Sequence, residues 1–168
     1  MSLSMYDVSV PVFMRMLANL SAILSKAAAS ADERGIDPLV LTSARLAPDM
    51  LPLARQVQIA CDAAKGAASR LSGAETPSHP DVETTFPELQ ARIDVTLAYL
   101  NTLSPDGFRD AETRSITLKA QGTEVVLPGS MFLLNFAWPN FYFHVSTAYD
   151  ILRHNGVALG KRDLLGAA

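Results

Sequence analysis

The apolar residues of this chain recur at three- and four-residue steps, and this spacing constrains the fold more than any other feature. In the first such stretch the apolar positions are Phe13, Met16, Leu17, Leu20, Ile23, Leu24 and Ala27. Because an α-helix has about 3.6 residues per turn, these side chains share one face. The sequence therefore predicts a first helix over about Pro11–Ala31, with Ser9 as its N-cap and Gly35 as its stop.

The same spacing predicts two more helices. Asp37–Ser43 is read as a short helical or turn segment, and the second long helix runs from about Pro52 to Leu71. Its apolar face is rich in alanine, which predicts close approach of a neighbouring helix. A polar, proline-containing loop follows over residues 73–84. Thr85 and Glu88 have the spacing of a capping box and predict the start of the third helix.

A β-hairpin is predicted between the third and fourth helices. Ser115–Lys119 alternates polar and apolar residues, and Thr123–Leu127 is rich in β-forming residues. Residues 120–122 have the composition of a hairpin turn. Because an isolated hairpin is marginally stable in water, this one is expected to pack on the helices.

The last helical stretch combines bulky apolar residues, a helix breaker and a titratable ring. It opens near Ser130 and closes at Asn155–Gly156, and it contains Trp138, the only tryptophan. Pro139 is expected to kink or split this helix, because proline removes one hydrogen bond and clashes with the preceding turn. The segment 156–162 lacks the spacing of a phosphate-binding loop. It is expected to pack over the bundle or onto a second subunit.

Composition limits the possible functions. A length of 168 residues with 49% hydrophobic and 18% charged residues predicts a single globular domain spanning residues 1–168, and the helical stretches predict that it is all-α. A net charge of −3 with scattered basic residues argues against a nucleic-acid partner. No apolar run approaches the roughly 18 residues of a membrane helix, so no membrane association is expected. The single cysteine, Cys61, excludes an internal disulfide and fits a cytoplasmic location.

His144 is the first candidate functional residue. It shares a helical stripe with Phe141, Ala148 and Ile151, so its ring is expected to point into the bundle. Two interpretations stay open: a core histidine bonded to a neighbouring group, or a pocket histidine that acts as ligand, base or donor. The positions one turn away, Asn140 and Ala148, supply no second histidine. His144 is therefore the only plausible metal ligand, and no cofactor is predicted.

The second helix offers polar partners for His144. Gln58 and Asp62 are four residues apart and share a face, so both are expected either to project into the bundle and meet His144 or to face solvent. His79, in the loop, is interpreted as solvated. His154 is interpreted as a partner of the helix C-terminus.

Three more residues of the last helix are candidates for the wall of a pocket. Trp138 and Tyr142 carry a polar tip on an apolar body, which suits a pocket wall, an interface or ordinary core. Asn140 is a candidate to bind carbonyls freed by Pro139. Cys61 is interpreted as a buried thiol, because no cation lies near it in sequence.

Several motifs along the chain are similar to those of the DUF1993 family, which belongs with the DinB/YfiT-like four-helix bundles. The matching segments are Met5–Pro11, Leu46–Met50, Gln56–Gln58, Pro139–His144, Leu152–Arg153 and Gly160–Lys161. The resemblance implies an up-down-down-up, DinB-like four-helix bundle with a crossover loop, here with a hairpin inserted between helices 3 and 4. It also implies that a homodimer is common.

The resemblance further bears on metal binding and function. DinB-like proteins typically hold a divalent metal with one histidine on the second helix and an H-x-x-x-H pair on the last. Here Gln56 or Gln58 stands near the first position, and Ala148 replaces the partner of His144. The leading hypothesis is thus a bundle that binds a small molecule between helices and has lost the metal. The alternatives are a metal- or thiol-dependent transferase-like enzyme that uses His144, and a homodimeric scaffold without catalysis.

Overall fold

A computed structural model describes residues 3–120 and 122–166, and the chain there is mainly helical. The α-helices before the hairpin are α1 (Val10–Glu33), α2 (Pro38–Thr42), α3 (Leu53–Ser72) and α4 (Phe86–Thr102). A 3₁₀ turn over Pro105–Phe108 leads to the strands β1 (Ser115–Ala120) and β2 (Thr123–Pro128). The chain continues through α5 (Gly129–Phe132), a π-helical segment (Leu133–Ala137), α6 (Trp138–His154) and α7 (Lys161–Leu165).

The four long helices pack around one apolar core. Helices α4 and α6 lie against α1, and both also lie against α3. Phe13 of α1 and Phe141 of α6 meet edge to face at 4.9 Å and are fully buried. The alanines Ala60, Ala64 and Ala68 of α3 are also fully buried. The predicted helical bundle with a hairpin between its third and fourth long helices is confirmed.

Two predicted helix starts have different outcomes. The capping box at α4 is confirmed: Thr85 Oγ1 accepts from the Glu88 amide, and the Glu88 carboxylate accepts from the Thr85 amide at 2.9 Å. Hydrogen bonds from the Thr84 and Thr85 amides lower the pKa of Glu88 to about 2. Ser9 is the N-cap residue of α1 as predicted, but its hydroxyl donates to the Met5 carbonyl at 2.5 Å and caps no amide of α1.

The last long helix is divided in its winding but remains continuous. The π-helical segment ends at Ala137, two residues before Pro139, which is the second residue of α6. Its flanking residues Phe132 and Trp138 keep right-handed helical dihedrals. Proline offers no amide hydrogen to the previous turn, and wider winding at that point accommodates the loss without a break. The last long helix is therefore divided into α5, the π-helical segment and α6, as expected of Pro139.

The hairpin packs against α5, as expected. Strands β1 and β2 are antiparallel, with Ile116 opposite Leu127, and Ile116 is buried. Of the predicted turn, Gln121 lies outside the described residues, while Gly122 has a φ of 80°. Where the hairpin meets α5, a Cβ on Gly129 would lie 1.9 Å from the Ala111 carbonyl oxygen. Only glycine permits so close a backbone approach.

The C-terminal segment packs on the bundle, the first of its two predicted placements. Asn19 of α1 donates to the Leu164 carbonyl at 3.0 Å, and Lys26 pairs with Asp163 at 2.5 Å.

Helix α1 is long and apolar enough to cross a membrane by length and composition alone, which the apolar runs did not predict. Its apolar side chains nevertheless lie in the core of the bundle.

Candidate functional site

His144 points between α6 and α3 and meets an amide. Its Nδ1 lies 2.7 Å from Oε1 of Gln56, which is only 1% exposed. Gln56 Nε2 donates to the Leu51 carbonyl at 2.9 Å, so the amide oxygen is the group turned toward the imidazole. Because an amide oxygen only accepts, Nδ1 must carry the hydrogen. The ring is held in one tautomer by a contact that ties α6 to the start of α3.

The environment of His144 favours its neutral form. The residue is 9% exposed, and burial lowers the pKa of its imidazole below the usual value. Burial opposes the charged form, because a charge loses its hydration there. A hydrogen-bonded, neutral, buried ring matches the first of the two open interpretations, a core histidine bonded to a neighbouring group.

Gln58 and Asp62 share a face of α3 but do not hydrogen-bond to His144, so that predicted meeting is wrong. Gln58 is buried, accepts from Arg55 at 2.7 Å and donates to the Glu83 carboxylate at 2.9 Å. The Asp62 carboxylate is partly exposed and contacts Arg92. Their partners outside α3 are Glu83 of the loop before α4 and Arg92 of α4. The cause is rotational: Gln56 and Gln58 are about 200° apart around the helix axis, at about 100° per residue.

Arg92 of α4 organises a buried ionic cluster that the sequence analysis missed. Its side chain is 2% exposed and pairs with Asp62 at 2.8 Å, Asp81 at 3.1 Å and Glu83 at 3.0 Å. It also donates to the Pro80 carbonyl at 2.9 Å. The signal was present in the sequence, because Arg92 stands beside Ile93 on the apolar face of α4. A charged residue at such a position indicates a buried partner.

His79, predicted to be solvated, is half-buried and contacts this cluster. Its Nδ1 lies 3.1 Å from Nζ of Lys65, which is 5% exposed and also pairs with Asp62 at 2.9 Å. An ammonium group only donates, so His79 is neutral with Nδ1 as acceptor. Burial, and then the charge of Lys65, lower the pKa of His79. The loop 73–84 is thereby fastened to α3 and α4.

One cavity lies beside the hairpin, and His144 is not among the residues that line it. It has a volume of about 500 Å³ and opens between α3, β1 and the π-helical segment. We call it the hairpin cavity. Its polar groups come from Asp62, Arg70, Thr117, Lys119 and Asn140, and its apolar wall includes Phe132 and Phe136. The structure thus brings two predicted residues, Asp62 and Asn140, to one site, and Asn140 faces this space instead of binding helix carbonyls.

The other two predicted pocket residues lie elsewhere. Trp138 lines a separate cavity of about 560 Å³ near the N-terminal turn and Phe108. Its indole N–H is buried and has no hydrogen-bond partner within the described residues. Tyr142 is half-buried and packs edge to face on Phe141 at 5.6 Å. The six predicted residues therefore do not form one pocket around His144.

The residues around His144 do not fit a metal site of the DinB-like kind. The neighbouring side chain on α3 is the amide of Gln56, and one turn along α6 stands Ala148. Over residues 3–120 and 122–166, no three His, Cys, Asp or Glu side chains come together as a metal site. Cys61 is fully buried, and burial raises the pKa of its thiol to about 12. Such a thiol is a poor nucleophile near neutral pH.

Comparisons with known proteins support the resemblance seen in the sequence. Residues 5–165 match the family model described as a domain of unknown function, DUF1993. A crystal structure of a DinB family member protein from Shewanella denitrificans is 48% identical. The match covers 97% of this chain and 92% of the Shewanella denitrificans chain, with a TM-score of 0.91. No curated protein matches this sequence significantly.

Proposed function

Because this chain belongs to the DUF1993 family and shares its fold with a DinB family member, we propose that it binds a small organic molecule in the hairpin cavity and needs no metal to do so. The observation that carries this proposal is the cavity itself. Its volume of about 500 Å³ suits a small ligand, since typical ligand pockets have about 300–1,000 Å³. Apolar walls with a few polar groups are the usual composition of such sites.

The setting of the cavity supports a binding role. One wall is the π-helical segment, and single π turns within α-helices are frequent at functional sites. Ala63, Ala67 and Ala137 leave the space open, because their side chains are small. The facing strand supplies Thr117 and Lys119 at the rim. A ligand would thus contact three elements that are distant in sequence.

Independence from metal is supported by the chemistry of the candidate ligands. Gln56 is a weak ligand for zinc or nickel, and Ala148 offers no donor atom. We place the protein in the cytoplasm, which agrees with a single, buried cysteine. Metal analysis of purified protein tests the transferase-like alternative with His144, since a stoichiometric zinc or nickel content would favour a metalloenzyme.

A thermal-shift screen against a library of small organic molecules tests the proposed function. Ligands that bind only the folded state raise its melting temperature. The matched variant is Ala63→Phe, because Ala63 is only half-buried and its new ring would fill the cavity. We expect hits whose stabilising effect disappears in this variant. Hits that stabilise both proteins equally, or no hits at all, would contradict the proposal.

A second candidate function, the homodimeric scaffold, rests on a different observation. The last long helix exposes large apolar side chains, namely Met131 (46%), Leu134 (51%), Phe136 (44%) and Phe143 (53%). The segment 130–149 has no charged residue, so two copies would meet without charge repulsion. We expect light scattering after gel filtration to show a dimer that Phe143→Ser weakens. A monomer at high protein concentration would exclude this candidate.

A further inference from the structure

From the charges and rings around the hairpin cavity, we infer that its ligand is a planar aromatic carboxylate whose carboxylate binds Arg70. The inference rests on the proposed function, because it names the chemical class of ligand for the same cavity. Three features carry it: the position of the Arg70 guanidinium, the glycine that makes room for it, and the paired phenylalanines that line the same cavity.

Arg70 stands near the end of α3, but its guanidinium is folded back along the helix. Nη1 donates to the Gly66 carbonyl at 2.8 Å, one turn earlier, and the side chain lines the hairpin cavity. Within residues 3–120 and 122–166, no carboxylate pairs with it. A guanidinium presents several donors in a fixed plane, and that plane matches a carboxylate.

Gly66 makes this position of Arg70 possible. A Cβ on Gly66 would lie 2.8 Å from Nη1 of Arg70, and within 4 Å it would meet the Arg70 side chain alone among the surrounding groups. Glycine within a helix is destabilising relative to alanine. Neither a turn nor another packed element explains the glycine here. Its effect is to let the guanidinium lie against the helix beside the cavity.

The remaining charges leave the cavity positive. The Asp62 carboxylate already contacts Lys65 at 2.9 Å and Arg92 at 2.8 Å, so its charge is paired within the Arg92 cluster. Lys119 has Glu124 at 3.7 Å across the exposed hairpin, and such an exposed pair is weak. Arg70 is thus the charged group of the cavity that lacks a counterion. An anionic ligand would supply one.

The apolar wall of the hairpin cavity suits a flat ring. Phe132 and Phe136 are stacked, with ring centroids 6.0 Å apart and an interplanar angle of 24°. Both line the cavity, and Phe136 is 44% exposed, so its ring is available to a ligand. Aromatic rings prefer offset stacking or edge contacts, which would extend this pair. A planar ring bearing a carboxylate satisfies both the phenylalanines and Arg70.

Isothermal titration with 2-naphthoate and its neutral amide, 2-naphthamide, tests the inference. The two probes have the same ring system and differ in charge. Because a hydrogen bond to a charged group is markedly stronger than a neutral one, we expect 2-naphthoate to bind at least about tenfold more tightly. The site of binding is checked with Ala63→Phe, which should abolish binding of both probes.

Three variants isolate the role of Arg70. Arg70→Gln should abolish the preference, so that 2-naphthoate and 2-naphthamide bind with about equal affinity. The affinity for 2-naphthamide should hardly change. Gly66→Ala should reduce the same preference while the melting temperature stays equal or rises, because alanine favours the helix and displaces the guanidinium. Arg15→Gln, which removes an exposed positive charge on α1, is the control and should leave the preference intact.

The outcomes separate the inference from the proposed function. Equal binding of both probes to the unmodified protein, abolished by Ala63→Phe, would overturn the carboxylate inference and leave the cavity as a binding site. An unchanged preference in Arg70→Gln would also overturn the inference. Failure of both probes to bind, or binding that Ala63→Phe does not affect, would refute the inference. If a library screen also found no ligand of the hairpin cavity, the proposed function would be refuted as well.

Discussion

The contact between His144 and Gln56 allows a double-mutant cycle with a defined result. Gln56→Leu removes the acceptor of the Nδ1 hydrogen and leaves the buried imidazole donor unpaired. It also takes the amide donor from the Leu51 carbonyl. An unsatisfied buried polar group costs about 1–3 kcal/mol, so we expect the free energy of unfolding to fall by about that amount. At about 2–4 °C per kcal/mol, the melting temperature should fall by about 2–12 °C.

The second arm of the cycle replaces the imidazole. His144→Phe leaves Oε1 of Gln56 unpaired, while Nε2 of Gln56 keeps its bond to the Leu51 carbonyl. We therefore expect the free energy of unfolding to fall by about 1–2 kcal/mol. In the double variant, both polar partners are replaced by apolar groups, and the losses should not add. We expect a coupling free energy of about 1 kcal/mol between the two positions.

Urea unfolding followed by circular dichroism measures all four proteins of the cycle. Additive losses, within about 0.3 kcal/mol, would refute the hydrogen bond as a stabilising contact. Equal slopes against urea concentration across the four proteins are the check that only stability changed.

The same pair predicts a dependence on pH. Burial lowers the pKa of His144 in the folded state, so the folded protein binds a proton less readily than the unfolded chain. The contribution of His144 to the free energy of unfolding is therefore complete above the ordinary histidine pKa near 6.5. It is lost as the pH falls from there through the lower pKa that His144 has in the folded protein. We expect His144→Phe to flatten the stability profile on the acidic side. An unchanged acidic slope, relative to the unmodified protein, would show that His144 does not titrate there.

Three further substitutions test other parts of the structure. Arg92→Leu should lower the free energy of unfolding in urea by about 2–4 kcal/mol, because it leaves the carboxylates that hold loop 73–84 without their partner. The control Arg109→Leu breaks an exposed pair and should change the free energy of unfolding by under about 0.5 kcal/mol. Gly129→Ala should cost about 3 kcal/mol or more by calorimetry, since its Cβ would overlap the Ala111 carbonyl; a small loss would contradict that approach. Trp138→Phe should leave stability within about 1 kcal/mol or raise it, because it removes a buried N–H without a partner; a large loss would reveal a partner.

Local features of this chain follow from its sequence. The apolar spacing of α1 and the pair Thr85–Glu88 determine where helices form, because both depend on neighbours within one or two turns. The hairpin before the last helix is likewise encoded by local alternation and turn residues. The position of Pro139 indicates where the last helix must change its winding.

The assembly of the candidate site was decided by tertiary structure. Periodicity correctly placed Gln58 and Asp62 on one face of α3, but it left open whether that face meets His144 or solvent, and in the structure the two side chains contact Glu83 of the loop and Arg92 of α4. Helix α3 buries polar side chains on more than one side, including Gln56 and Lys65, so its own pattern does not fix which neighbour each side meets. The rotation of α3 about its axis is set by the combined packing of α1, α4 and α6.

The hairpin cavity has the same origin. Arg70, Thr117 and Phe136 are far apart in sequence, and each is unremarkable by local pattern. They share a cavity because the hairpin leaves α4, returns beside α3 and leads into the π-helical segment. Short-range interactions determine which segments are helix or strand. Long-range packing determines which polar groups line the same cavity, and the local spacing of residues in a single sequence does not specify that packing.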